Sequence, residues 1–128
     1  MDERPPGVVV GNTCPLCGGP LWRRDGARGA NGDGAAEYEC RIGHTFTPAQ
    51  LWIEHAAMRN RAVAAAARAI AEHVDLARAL AREARAIGGD GLATRLDEEA
   101  RSEERHLGQL LAMLEGLAEG DTEGGTGR

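Results

Sequence analysis

The chain has 128 residues, with 15 basic side chains against 20 acidic ones and a net charge of −5. That is room for one modest domain, or a small module plus a helical element. Every base is Arg, and carboxylates outnumber Arg in residues 1–47 as well as in 48–128, which disfavours a dedicated nucleic-acid binder with its basic stripe.

Residues 1–11 open acidic and carry Pro5-Pro6-Gly7, which reads as a disordered lead rather than a signal peptide. No run approaches the roughly 18 apolar residues that span a bilayer. The expected setting is therefore the reducing cytoplasm. One Phe, one Tyr and two Trp leave little for an aromatic core, and small folds short of core draw on metals, disulfides or self-association.

Residues 12–46 hold all three cysteines. Cys14-Pro15-Leu16-Cys17-Gly18-Gly19 forms a knuckle in which two thiolates aim at one ion, and Gly18 lets the backbone turn its amides toward the sulfurs. Leu21 to Arg24 has strand character, a Gly-rich loop follows between Asp25 and Gly34, and Glu37 to Cys40 reads as the returning strand. Cys40-Arg41-Ile42-Gly43-His44 supplies the second ligand pair. The full pattern is Cys-x2-Cys-x22-Cys-x3-His, which predicts a zinc-ribbon-like β-hairpin holding one structural Zn2+ on Cys14, Cys17, Cys40 and His44. Three thiolates and an imidazole fill a tetrahedral shell and leave no position for a reacting water. Their formal excess of one negative charge suggests compensation by Arg23, Arg24 or Arg41. A redox Cys-x-x-Cys beside an unrelated buried Cys40 is the plainer alternative, but no βαβ pattern surrounds the pair. A rubredoxin-like iron site lacks its fourth cysteine.

Residues 47–119 predict a long antiparallel helical hairpin. Thr47-Pro48-Ala49-Gln50 is a capping box with Pro at the first helical position. Val63, Ala67, Ile70, Val74, Ala77, Ala81 and Ala84 then step by threes and fours, with Ala66, Leu80 and Ile87 widening the stripe. Gly88-Gly89 ends this helix and Asp90 caps the next. Ala93, Leu96, Ala100, Glu103, Leu107, Leu110, Leu114 and Leu117 form the second seam, and so short a turn makes the helices antiparallel. At 1.5 Å per residue the first helix spans about 60 Å and the second about 42–45 Å. The first dozen residues would then overhang, with Leu51, Trp52, Ile53 and Met58 packing on the metal module or a partner, beside Trp22. Leu76, Leu92 and Leu111 would stay partly exposed, which predicts a homodimer closing into a four-helix bundle. Residues 120–128 read as a disordered polar tail.

Other chemistry in the hairpin is weaker. Glu103-x-x-His106 matches the signature of di-iron bundles, and Glu72 and His73 fall near its level, but a structural hydrogen bond between His73 and Glu103 is the preferred reading. His55 sits inside the first helix and competes poorly with His44. The charged stretch from Asp97 to Arg105 reads as a solvated face with Asp97–Arg101 and Glu98–Arg101 pairs. Hydrolase, nucleotide-cradle and metalloprotease motifs are missing.

The joint order of Cys14-Pro15-Leu16-Cys17-Gly18-Gly19, Trp22, Cys40-Arg41-Ile42-Gly43-His44-Thr45-Phe46 and a helical hairpin resembles the C-terminal module appended to some chemotaxis methylesterase (CheB-like) proteins. The resemblance covers roughly residues 12–117. It implies a zinc knuckle carried by Cys14, Cys17, Cys40 and His44 in front of two long helices. The chain has none of the methylesterase nucleophile segment, so that activity is not implied. The resulting expectation is a non-enzymatic zinc-binding interaction or adaptor module in bacterial or chemotaxis-like signalling, with a protein partner. The alternatives are a zinc-dependent regulator, either a redox-sensing thiolate site or a nucleic-acid-associated ribbon, and a ferritin-like di-iron oxidase formed by dimerisation.

Overall fold

A computed structural model describes residues 7–25 and 35–126, with side chains described as far as residue 120. Most of the Gly-rich loop, Pro5-Pro6 and the end of the polar tail lie outside the described residues. Four strands and two helices follow in chain order: β1 (Val8–Thr13), β2 (Pro20–Arg24), β3 (Glu37–Cys40), β4 (Thr45–Phe46), α1 (Pro48–Ala86) and α2 (Asp90–Thr126). The strands make one antiparallel sheet in the order β1-β2-β3-β4. The class is small α+β, a four-stranded sheet followed by a helical hairpin.

The expected ribbon is the central β2–β3 pair, with Leu21 opposite Cys40 and Arg24 opposite Glu37. The two outer strands were not expected. Val8-Val9-Val10 is a β-branched run whose stiff side chains favour extended backbone. It pairs Val8 with Arg23 and Val9 with Trp22, so residues 8–11 are strand rather than disordered lead. β4 is only two residues long and sits directly behind the second ligand turn, pairing Tyr38 with Phe46.

The chain divides into two compact units, Met1–Arg59 and Asn60–Arg128, so the start of α1 belongs with the sheet. The core of the first unit is Cys14, Leu21, Cys40 and Phe46, with Val10, Tyr38 and Leu51 packed on it. Leu51 thus packs where the overhang residues were expected. Trp52 and Ile53 do not: they are 74% and 52% exposed, because neighbours on a helix point about 100° apart and one face alone meets the sheet. The capping box forms as read. The Thr47 N–H donates to Gln50 Oε1 at 2.9 Å and the Gln50 N–H donates to Thr47 Oγ1 at 3.1 Å.

In the second unit the predicted seam of α1 is the buried one: Ala67, Val74, Ala77, Ala81 and Ala84. Ala100 of α2 packs with Val74 and Ala77, and Ala93 with Ala81 and Ala84. Leu80 and Ile87 do not widen this seam and are exposed. At the turn, the Gly88 N–H donates to the Arg85 carbonyl and the Gly89 N–H to the Ala84 carbonyl, at 3.2 and 2.7 Å. These are the two reverse bonds of a Schellman ending. The Ala93 N–H donates to the Gly89 carbonyl, so Gly89 occupies the cap and Asp90 is the first helical residue, its carboxylate at the positive end of the helix.

Two further expectations change. Asp97 reaches across the hairpin to Arg85, and Glu104 reaches across to Arg78. The charged stretch is therefore partly interhelical instead of a wholly solvated face. α2 also continues to Thr126, past the Gly120 at which a disordered tail was expected. No Pro interrupts it, and extending a formed helix costs far less than starting one. Its 37 residues nearly match the 39 of α1, so the expected length mismatch is small. No helix among the described residues is long and apolar enough to cross a membrane.

Two outcomes follow. Thr47→Ala removes one half of the capping box and should cost about 1 kcal/mol at the start of α1, read as faster amide exchange at Gln50 and Leu51 with the hairpin amides unchanged. The hydrogen bond and charge of Arg85 hold the Asp97 carboxyl below its ordinary value of 3.8. A lowered folded-state value stabilises above the ordinary one and is lost as pH falls through the lowered one. Acid unfolding of the hairpin should therefore begin below about pH 4 and be less pH-dependent in Asp97→Asn, as followed by circular dichroism.

Candidate metal centre

The sheet topology brings the four sequence-predicted ligands together. One turn joins β1 to β2 and the other joins β3 to β4. Because β2 and β3 are antiparallel neighbours, the end of β3 lies beside the beginning of β2, and both turns fall at the same end of the sheet. Cys14 and Cys17 occupy the first turn, and Cys40 and His44 the second.

The turns close in similar ways. In the first, the Gly18 N–H donates to the Cys14 carbonyl and the Cys14 N–H to the Gly19 carbonyl, both at 2.8 Å. In the second, the Gly43 N–H donates to the Cys40 carbonyl at 3.1 Å and the Cys40 N–H to the His44 carbonyl at 3.0 Å. Gly18 and Gly43 have φ of 77° and 102°, a region that residues with a Cβ rarely enter. Their place in the motif is a backbone requirement.

One donor atom from each of Cys14, Cys17, Cys40 and His44 lies within 4.8 Å of every other, so the group could hold a metal ion. The edges fit a specific shell. Cys17 Sγ and Cys40 Sγ are 3.8 Å apart, and His44 Nδ1 lies 3.4 Å from Cys40 Sγ and 3.6 Å from Cys14 Sγ. A tetrahedron with metal–sulfur bonds of about 2.3 Å and a metal–nitrogen bond of about 2.0–2.1 Å has edges of roughly 3.8 Å and 3.5 Å. Nδ1 is the imidazole nitrogen turned toward the sulfurs.

Two of the four donors, Cys14 and Cys40, are fully buried, whereas Cys17 is exposed. Burial opposes ionisation of the Cys40 thiol. The backbone N–H groups of His44 and Ile42, helped by the Cys17 and His44 side chains, outweigh it and bring the thiol down to about 7. The His44 N–H lies 3.3 Å from that sulfur. For Cys14, burial wins and the thiol is pushed up, although the backbone of Leu16 and Cys17 donates to it. A metal ion would favour both thiolates.

The amides do what the arginines were expected to do. Arg23 pairs with Asp25 at 3.1 Å. Arg24 pairs with Glu37 at 2.8 Å and with Glu39 at 3.3 Å. The Arg41 guanidinium lies 5.9 Å over the Trp22 ring. The structure thus points Arg23 and Arg24 at carboxylates, where oppositely charged oxygens compete for them. The backbone N–H donors inside the turns were only partly foreseen, through Gly18.

His55 lies within α1 and outside the cluster. Among the described residues no second group of three metal-binding side chains forms within one chain. Glu72 sits 4.0 Å from Arg68. The expected His73–Glu103 hydrogen bond is not made: His73 is exposed, and Glu103 Oε2 is buried without a hydrogen-bond partner. His73 directly precedes the seam position Val74, which turns its ring off to one side. The chain matches no protein-family model, no curated protein and no solved structure.

The turn geometry makes a direct prediction. Gly43→Ala forces a Cβ into a strained backbone region, at a cost of about 1–3 kcal/mol. Competition with a chelator should show metal binding weakened roughly tenfold or more, while hairpin helicity is retained.

Proposed function

We propose that the Cys14, Cys17, Cys40 and His44 cluster is a structural zinc site, and that the protein is a non-enzymatic interaction module. The observation that carries this reading is the closed, tetrahedral-sized donor set of three sulfurs and one imidazole nitrogen. Soft thiolates with imidazole select zinc over hard cations, and a full four-ligand shell is the form taken by structural rather than catalytic zinc. When bound, the ion supplies folding free energy and no open coordination position. The chain's own residues orient it: the Gly18 and Gly43 turns aim the ligands, and the Cys40 sulfur accepts from the His44 amide.

The resemblance of the knuckle-plus-hairpin order to the CheB-like C-terminal module supports a signalling adaptor, with a protein as partner and the cytoplasm as setting. The acidic charge balance argues against nucleic acid as that partner.

A second reading has one observation in its favour. Cys17 is exposed and its sulfur lies 3.8 Å from that of buried Cys40. A peroxide could take two electrons from this thiolate pair, forming one S–S bond, with two protons taken up, two waters produced and the ion released. That would make the same site a redox-responsive regulator.

Elemental analysis of protein purified without added metal should give one zinc per chain, absent in Cys40→Ser. Removing zinc with a chelator should abolish the near-ultraviolet signal of Trp22 and the sheet amide protection while most helicity persists. Iron, or no metal at all, would sink the proposal. Zinc release by micromolar peroxide, with a Cys17–Cys40 disulfide found by mass spectrometry, would move the assignment to the redox regulator.

A further inference from the structure

The four donors of the metal centre are unequally covered. Cys14 and Cys40 have no exposed surface and belong to the core with Leu21 and Phe46, and His44 is half-buried. Cys17 is exposed, as are Leu16 and Gly18 on either side of it. Gly19 adds to this openness. A Cβ there would lie 3.5 Å from Cys17 Sγ, an ordinary contact. Gly19 is not among the glycines with positive φ, so its backbone, unlike that of Gly18, does not call for glycine. Its lack of a side chain leaves that flank of the sulfur bare.

The backbone draws the same distinction. The amides of Leu16 and Cys17 serve the Cys14 sulfur, and those of Ile42 and His44 serve the Cys40 sulfur. Such charge-assisted bonds favour a thiolate and fix its position. His44 Nδ1 lies 3.6 Å from Cys14 Sγ and 3.4 Å from Cys40 Sγ. These three donors form a covered face that holds together without Cys17, whose sulfur meets it at Cys40 Sγ, 3.8 Å away.

We propose that Cys17 is the exchange ligand of the site, the sulfur that gives way when a thiol from a second molecule takes up or delivers the ion. The proposal rests on the structural-zinc reading and names how that site is emptied and loaded. A closed four-ligand shell offers no vacant position, so unaided loss of the ion means pulling a thiolate away with nothing in its place. Substitution avoids this. The incoming thiol's sulfur forms a bond to the zinc, and the bond from Cys17 to the zinc breaks. The proton of the incoming thiol passes to the Cys17 sulfur, so charge balances and neither sulfur nor metal changes oxidation state. Cys14, Cys40 and His44 stay bound through that step and are replaced only afterwards; loading is the reverse. A thiol suits the role because it puts one soft sulfur donor in place of another, whereas water or a carboxylate would trade a soft donor for a hard one.

Two measurements on the full chain, kept free of oxygen to exclude disulfides, test this. Zinc content is measured first. A chain without zinc overturns the zinc assignment and this proposal with it, whereas the outcomes below come from zinc-bearing chain and bear on the exchange role alone. Brief exposure to N-ethylmaleimide, followed by peptide mass spectrometry, reads the order in which the thiols react. Cys17 should be labelled at least about tenfold faster than Cys14 or Cys40. Transfer of zinc to a chromophoric chelator is then timed against glutathione concentration. The rate should rise with glutathione. Gly19→Ala, whose Cβ shields the sulfur, should lower that slope roughly threefold and leave the rate without glutathione unchanged. Equal labelling of the three cysteines, a transfer rate indifferent to glutathione, or an unchanged slope in Gly19→Ala overturns the exchange role.

Discussion

The first unit rests on how close its four donor atoms sit. Three sulfurs and a ring nitrogen lie within 4.8 Å of one another, and two of the sulfurs belong to the small core that also contains Leu21 and Phe46. Ionised thiolates at this separation repel one another in a partly dry site, and neutral thiols would gain little from it. A dication reverses the sign of that interaction. It would bind the deprotonated forms, and its binding free energy would then become folding free energy for a sheet with few apolar residues of its own. The backbone is arranged for the same end. Turn amides point at Cys14 and Cys40, a positive-φ glycine closes each turn, and the antiparallel β2–β3 pair sets the two turns side by side.

The second unit meets the same shortage of core in another way. Alanine at most seam positions lets α1 and α2 approach closely, so backbone dispersion contacts replace some of the side-chain burial. Such a seam is smooth and specifies register poorly, since one alanine fits where another does. The Arg78–Glu104 and Arg85–Asp97 pairs supply part of the discrimination: sliding one helix by a turn would separate both. They are exposed and add little stability. Their value is in excluding the wrong alignments.

Much of this was legible in the sequence because it was written in spacing. The clustering of Cys14, Cys17, Cys40 and His44, the capping box at Thr47, the break at Gly88-Gly89 and the Ala67-to-Ala84 seam each follow from a local rule of spacing. The features that were missed depend on partners far along the chain. Val8 to Val10 reads as a loose lead beside Pro5-Pro6 until β2 is there to pair with it. β4 is too short to show any alternation. Asp97 had an equally spaced partner in Arg101 on its own helix, and only the hairpin's register shows that Arg85 reaches it. The course of α2 beyond Gly120 was misjudged because glycine propensity is a weak prior against a helix already formed.

Trp52 and Leu51 show why composition could not settle the overhang. Both are apolar and adjacent, and the sequence offers no reason to separate them. The helix does, by turning one onto the core of Cys14, Leu21, Cys40 and Phe46 and the other into solvent. The same rotation distinguishes Ala81 from Leu80 in the hairpin: the small residue is buried and the large one is left outside. An arrangement that buries alanine and exposes leucine is costly for an isolated chain, because the larger apolar surface stays in water. It follows from a thin inner seam: alanine lets the two helix backbones approach, and the larger side chains are turned out of the contact.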